Sequence, residues 1–210
     1  MADGTESTYL KTPATCNESE LPGRDLVACQ VLAAKQDAQA FEALYRSHVD
    51  AVYRYCYRRL NSSEAAADAT SQIFLKAFTA IEHCNEDRFR SWLFAIAHNV
   101  LIDEYRSRCP EESLDAASRV TSNDLSPEEH VLQADDHITV IRLLSFLTPD
   151  QRQIVELRLA GLNGNEIAEV LGRSRGSVDT AQSRAITRLR DVFARERESG
   201  MESEAHHVSA

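Results

Sequence analysis

Between Phe41 and Leu60 apolar side chains return every three or four residues, at Phe41, Leu44, Tyr45, Val49, Val52, Tyr53, Cys56 and Leu60. That is the period of an amphipathic helix, ending near Asn61. Ser62 or Ser63 is placed to cap a second helix, whose apolar stripe is Ala66, Ala69, Ile73, Phe74, Ala77, Phe78 and Ile81 and which runs to about His83. A short loop, Cys84-Asn85-Glu86-Asp87, precedes a third helix from about Phe89 to Arg108, with Trp92, Leu93, Ile96, Ala97, Val100, Leu101 and Tyr105 at core spacing. Residues 148–190 predict three more in quick succession. Thr148 caps the first, with Pro149 where a missing N–H costs nothing and Gln151 completing a capping box; Gly161 stops it. Asn163 starts the second with Glu166 three residues on, Ile167, Ala168, Val170 and Leu171 form its apolar face, and Gly172 closes it. Ser174 opens the third, with Val178, Ala181, Ala185, Ile186 and Leu189 at helical spacing. An all-α fold is expected, in two small helical domains joined by a flexible acidic linker.

The turn Gly172-Arg173-Ser174 is short enough to make its two helices cross steeply, as in a helix-turn-helix, where the later helix enters a major groove. The polar side of that helix carries Arg175, Ser177, Asp179, Thr180, Ser183, Arg184 and Arg188. Three amphipathic helices with tight turns also make an ordinary bundle, so pattern alone leaves both readings open. Charge separates them. Residues 137–190 hold eight Arg against five Asp or Glu, a local balance of +3 in a chain whose net charge is -10, and basic charge gathers where phosphate would lie.

The same charge accounting marks the boundaries. Residues 110–136 hold eight acidic residues and one Arg, a net of -7, with two prolines and scattered apolar positions; this is the predicted linker. It separates an N-terminal helical domain, 26–109, from the helix-turn-helix domain, 137–194. Residues 1–25 read as a flexible leader and 195–210 as a polar tail that frays. No internal repeat is visible.

Several chemistries are poorly supported. There is no Gly-rich phosphate loop, no nucleophile with an evident base and no carboxylate pair set apart by its surroundings, so an enzyme is not expected. Nor is a cofactor. The five cysteines, Cys16, Cys29, Cys56, Cys84 and Cys109, are scattered and never form CxxC, which fits reduced thiols; the seven histidines show no metal-ligand spacing beyond the adjacent pair His206-His207. No run approaches the roughly 20 apolar residues needed to span a bilayer, and the N-terminus lacks a signal core, so the expected location is the cytoplasm.

The stretch FRSWLFAIAHNVLIDEYRSR (Phe89 to Arg108), an acidic linker and then LTPDQRQIVELRLAGLNGNEIAEVLGRSRGSV together resemble an extracytoplasmic-function (ECF) RNA polymerase sigma factor of the sigma-70 family. The resemblance covers about residues 37 to 193, the first part like sigma region 2 and the last like region 4. It implies an alternative sigma factor: region 2 binds the clamp helices of bacterial core RNA polymerase, opens the −10 element and captures an unstacked base, and region 4 reads the −35 element. An anti-sigma factor is the further partner it implies, and no small-molecule substrate. A stand-alone helix-turn-helix regulator and a degenerate sigma-like module are the alternatives.

Carried over residue by residue, the resemblance names candidate sites. The family's Ala-Arg-Asn step falls on Ala97-His98-Asn99, with His98 replacing the basic residue. Asn99 is the best candidate for a −10 base contact, since an amide offers both donor and acceptor to a base edge; the other reading is a mid-helix Asn facing solvent. Asn85 lies where the family pockets a flipped base, and could equally be a solvated turn. Arg88, Arg106 and Arg108, with Arg90, flank this helix as backbone contacts or plain surface charge. Phe89 and Trp92 could stack on bases, though core packing is favoured for Trp92 by its stripe. The polymerase-binding pattern Ala-Glu-Asp-x-x-Gln-Glu-x-Phe falls on Ala66 to Phe74; Asp68 and Phe74 match, Gln72 is a further candidate, and Ala67, Ser71 and Gln72 depart from the pattern. At the −35 element, Arg184 and Thr180 face the groove, with Ser177 on the same polar side, and Arg173, Arg175 and Arg188 suit phosphates. Asp179 stands where the family usually has Lys or Arg, so a different −35 preference is expected.

Overall fold

A computed structural model describes residues 23–108 and 139–207, with side chains described for 26–106 and 139–195. Most of the predicted leader and the whole predicted linker lie outside the described residues. Four helices make the first half: α1 (Gly23–Gln36), α2 (Phe41–Leu60), α3 (Ser63–Ala80) and α4 (Phe89–Arg108). The second half holds α5 (residues 139–145), α6 (Pro149–Leu159), α7 (Gly164–Leu171) and α8 (Arg175–His207). Among the described residues there is no strand.

The local signals that place these helices are seen in the structure. Asn61 takes the left-handed conformation (φ 50°) and returns its N–H to Tyr57 O, which ends α2. Ser62 Oγ then accepts from Ala65 N and starts α3. Thr148 and Gln151 form a reciprocal capping box at α6, and Asn163 and Glu166 form another at α7. Gly172, at φ 61°, ends α7 with a backbone conformation that side-chain-bearing residues rarely adopt.

The core is built from Leu44, Tyr55, Ile73, Leu93, Phe94 and Leu101 in the first half and Ile154, Leu157, Leu162 and Ile167 in the second, all buried in one contiguous cluster. The two halves therefore share a core. α4 packs on α7 and α2 on α6, while α6 also packs on α8. A smaller cluster, Leu144, Leu147 and Ala185 with Val140, Val155 and Leu189, fastens α5 and α6 to α8.

Three expected core positions face outward. Tyr45, Phe78 and Ile186 are about two-fifths exposed, at 42%, 40% and 39%. The first two lie as edge-to-face lids, Tyr45 over Phe74 at 4.8 Å and Phe78 over Phe41 at 5.2 Å, with one edge in water. The C-terminal segment also differs from expectation. α8 continues to His207 rather than fraying after Arg195. Residues 195–207 include four Glu and two Arg, good helix formers opposed there by one glycine, Gly200.

Cys29, Cys56 and Cys84 are unbridged; Cys16 and Cys109 lie outside the described residues. Burial pushes the Cys56 and Cys84 thiols up to about 11, far from the thiolate that oxidants attack. Among the described residues no three His, Cys, Asp or Glu side chains gather as a metal site, and no helix is long and apolar enough to cross a membrane.

Candidate nucleic-acid interface

The second half presents α8 as a recognition helix. Ser174 Oγ accepts from Ser177 N at its start, and Val178, Ala181 and Ala185 bury its inner side. Arg158 of α6 ties α8 to the turn after α6, donating to Gln182 Oε1 at 2.7 Å and to Leu162 O at 2.9 Å. Arg184 and Arg188 are exposed, and among the described residues no ion pair engages either one. Both guanidinium groups face solvent.

The other predicted −35 residues are already partnered. Arg173 pairs with Asp150 of α6 and donates to Ser177 Oγ at 2.8 Å. Arg175 Nε donates to Asp179 Oδ2 at 2.8 Å, so the unusual carboxylate is partly neutralised by its own neighbour one turn back. The Arg175 guanidinium also lies across Gly164, where a Cβ would collide with it. The Thr180 hydroxyl donates to Gly176 O at 2.8 Å.

In the first half, Asn99 is exposed on α4 and Arg106 is exposed two turns on. The side chain of Arg108 lies outside the described side chains. Asn85 is exposed, but its Oδ1 accepts from Asp87 N at 3.0 Å, which caps the turn Glu86–Arg88 and leaves the amide N–H groups for a ligand. Arg88 is paired with Glu169 of α7 at 3.3 Å. Phe89 is 1% exposed against His48 and Trp92, so it cannot stack on a base; Trp92 is half-buried against the core.

His98 behaves unlike the basic residue it replaces. Burial, reinforced by the nearby Arg59, lowers its pKa to about 4, and Gln153 Nε2 of α6 lies 3.1 Å from its Nε2 as a donor to the neutral ring. The folded chain thus binds fewer protons here than the unfolded chain, whose His titrates near 6.5. Stability from this group is present above pH 6.5 and is lost as pH falls towards 4. Urea midpoints measured across that window should fall less steeply for His98→Gln than for the wild type; parallel slopes would show that His98 is not held neutral by the fold.

The polymerase-binding candidates lie on α3. Asp68, Ser71 and Gln72 are exposed, and Leu75 beside them is 64% exposed. Phe74 is turned inward, 4% exposed against Phe41 and Tyr45, so it shapes that face from behind.

Sequence reasoning missed Arg58, Arg59 and Glu156, which join the two halves beside α4. Glu156 is 0% exposed, with Oε2 accepting from Arg59 Nη1 at 2.9 Å and Oε1 from Arg152 Nε at 2.7 Å. A signal existed. Glu156 sits between Ile154 and Leu157 on the side of α6 that must be buried, and a carboxylate there requires cations.

Comparison with known proteins bears on both halves. Residues 44–109 match sigma-70 region 2 and residues 137–189 match sigma-70 region 4. The chain is 34% identical over 159 residues to the ECF RNA polymerase sigma factor BldN of Streptomyces coelicolor, covering 73% of this chain but only 60% of BldN. It is 32% identical over 171 residues to the ECF sigma factor ShbA of Streptomyces griseus, covering 75% of this chain and 90% of ShbA. The fold resembles the sigma factor RpoE from Bartonella quintana, solved in complex with the anti-sigma factor NepR, with a TM-score of 0.57, 21% identity and coverage of 73% of this chain and 96% of RpoE. With exposed amide and arginine groups on α4, a recognition helix in α8 and these matches over both halves, the chain belongs to the ECF RNA polymerase sigma factors of the sigma-70 family.

Proposed function

We propose that this chain binds bacterial core RNA polymerase in the cytoplasm and directs it to promoters, with residues 26–109 acting at the −10 element, residues 137–194 at the −35 element and residues 110–136 as the linker between them. The observation that carries this reading is the pairing of two exposed polar surfaces on one chain: Asn99 and Arg106 on α4, and Arg184 and Arg188 on α8. α3 offers the polymerase an exposed face of Asp68, Gln72 and Leu75. An anti-sigma factor is the regulatory partner, supported by the complex in which the RpoE neighbour was solved. The family works by recognition rather than catalysis; the chemistry here is hydrogen bonding to bases and neutralisation of phosphates. The strongly negative chain, at -10, binds free DNA weakly, so the polymerase supplies much of the promoter affinity by holding both surfaces in place.

The direct test is run-off transcription with core polymerase, with and without this protein, on fragments that include the promoter of its own gene. Initiation from a defined start that depends on the protein is the expected result. Absence of both transcript and core binding would leave a free-standing regulator or a degenerate module.

Within that reading, Asp179 sets a distinctive −35 preference. Its carboxylate repels phosphate but accepts from a cytosine amino group, and the Arg175 pair holds it one turn from the start of α8. Asp179→Lys should redistribute binding across a panel of −35 sequences, by roughly 1 to 3 kcal/mol at the contacted base pair. Wild type and variant ranking the panel identically would remove the role.

A further inference from the structure

We propose that Arg58 and Arg59, at the C-terminal end of α2, form a seat for a backbone phosphate of promoter DNA, and that the Glu156 carboxylate occupies this seat while the two halves are packed together. The inference rests on reading α4 as the −10 surface.

Glu156 presents its carboxylate as an anion between guanidinium groups from both halves. Arg59 Nη1 is 2.9 Å from Oε2 and Arg152 Nε 2.7 Å from Oε1, while Arg58 Nη2 approaches Glu156 O at 3.5 Å and Arg152 Nη2 donates to Arg58 O at 3.0 Å. Arg59 and Arg152 each give the carboxylate one N–H contact, while Arg58 meets the Glu156 backbone carbonyl; guanidinium groups receive carboxylate and phosphate oxygens alike, because both are anionic acceptors for their N–H donors. When the halves part, Glu156 and Arg152 leave together on α6. Arg58 and Arg59 stay behind on α2.

Their location makes the ligand a DNA backbone. Tyr105 of α4 donates its hydroxyl to Arg59 O, and the Arg59 guanidinium lies 5.9 Å from the centre of the Tyr105 ring. The same guanidinium acts electrostatically on His98, the neighbour of Asn99. The seat therefore lies against the helix that presents Asn99 and Arg106. Arg54, exposed one turn earlier on α2, adds its field to Arg58, so the vacated site is a cluster of cations in want of an anion.

A second carboxylate of the same half repeats the theme. Glu169 of α7 meets Arg88 at 3.3 Å and accepts from Ser91 Oγ at 2.7 Å, so another cation of the −10 surface is covered by an acid from the −35 half.

The test uses the full-length chain and fluorescence anisotropy with a fluorescein-labelled single-stranded DNA of mixed sequence, across a salt series. Glu156→Gln keeps the shape and removes the charge. It should tighten binding roughly tenfold and steepen the log affinity against log salt slope by about 0.7, the value for one further phosphate on a single strand. Arg59→Gln breaks the same pair but removes the seat, so it should gain neither affinity nor slope. Equal gains in the two variants, or no gain in Glu156→Gln, would overturn the proposal. If circular dichroism shows Glu156→Gln to be unfolded, Glu169→Gln loosens the halves away from the buried carboxylate; adding Arg59→Gln to it must then lower the slope, and an unchanged slope sinks the seat. Run-off transcription with Asn99→Ala keeps the two readings apart. Wild-type output from that variant removes the −10 assignment itself, whereas impaired output with no gain of slope in Glu156→Gln removes only the seat.

Discussion

Phe94→Ala is expected to cost the folded chain about 3 to 5 kcal/mol, a large share of the roughly 5 to 15 kcal/mol that holds a domain together. Phe94 is 0% exposed, and its ring meets Tyr55 edge-on at 5.6 Å in the middle of the cluster that spans both halves. Truncation removes that contact and leaves a cavity among rigid helices, which collapse cannot fill. Urea unfolding followed by circular dichroism measures the effect as a drop in midpoint. Leu75→Ala is the matched control, because Leu75 is 64% exposed and its loss should fall within about 0.5 kcal/mol of zero. Equal midpoints for the two variants would contradict the packing described for Phe94.

Asn99→Ala should lower run-off transcription with core polymerase by roughly tenfold or more, the equivalent of losing one base contact worth about 1 to 3 kcal/mol. The amide is exposed on α4, while its neighbour His98 is neutral and occupied by Gln153, so little else on that turn can replace it. Single abasic substitutions through the −10 element identify the contacted base. At one position the defects of the variant and of the abasic template should fail to add, because each removes the same interaction. Additive defects at every position would assign Asn99 to the surface without a base contact.

Helix starts and stops were readable because their chemistry is local. Ser62, Thr148 with Gln151, and Asn163 with Glu166 satisfy backbone N–H groups within four residues of themselves, and the structure shows each of these caps. The outward positions on α8 were readable for the same reason, since polar residues opposite Val178, Ala181 and Ala185 must face out. Partnering was not. Arg173 and Arg175 read as phosphate ligands, yet they are engaged by Asp150 and Asp179, and only the fold brings Asp150 to Arg173.

Packing between the halves was the least visible feature. α2 was assigned one apolar stripe, but α6 packs on it as well as α3 and α4, which buries Tyr55 and Arg58 off that stripe. Nothing near residue 55 announces a partner about a hundred residues away. His98 shows the same limit: as a sequence substitution it reads as a weaker base, and only burial beneath α6 keeps it a neutral acceptor as pH falls from 6.5 towards 4.

The paired caps of α6 and α7 also bear on the order in which the chain folds. These two helices and the start of α8 are stapled within a few tens of residues, by contacts that close short loops and form early. The Ser91 to Glu169 bond, by contrast, spans 78 residues and the Arg59 to Glu156 pair spans 97. Docking of the halves is therefore expected to follow the closing of these short loops, because its contacts close loops of 78 and 97 residues.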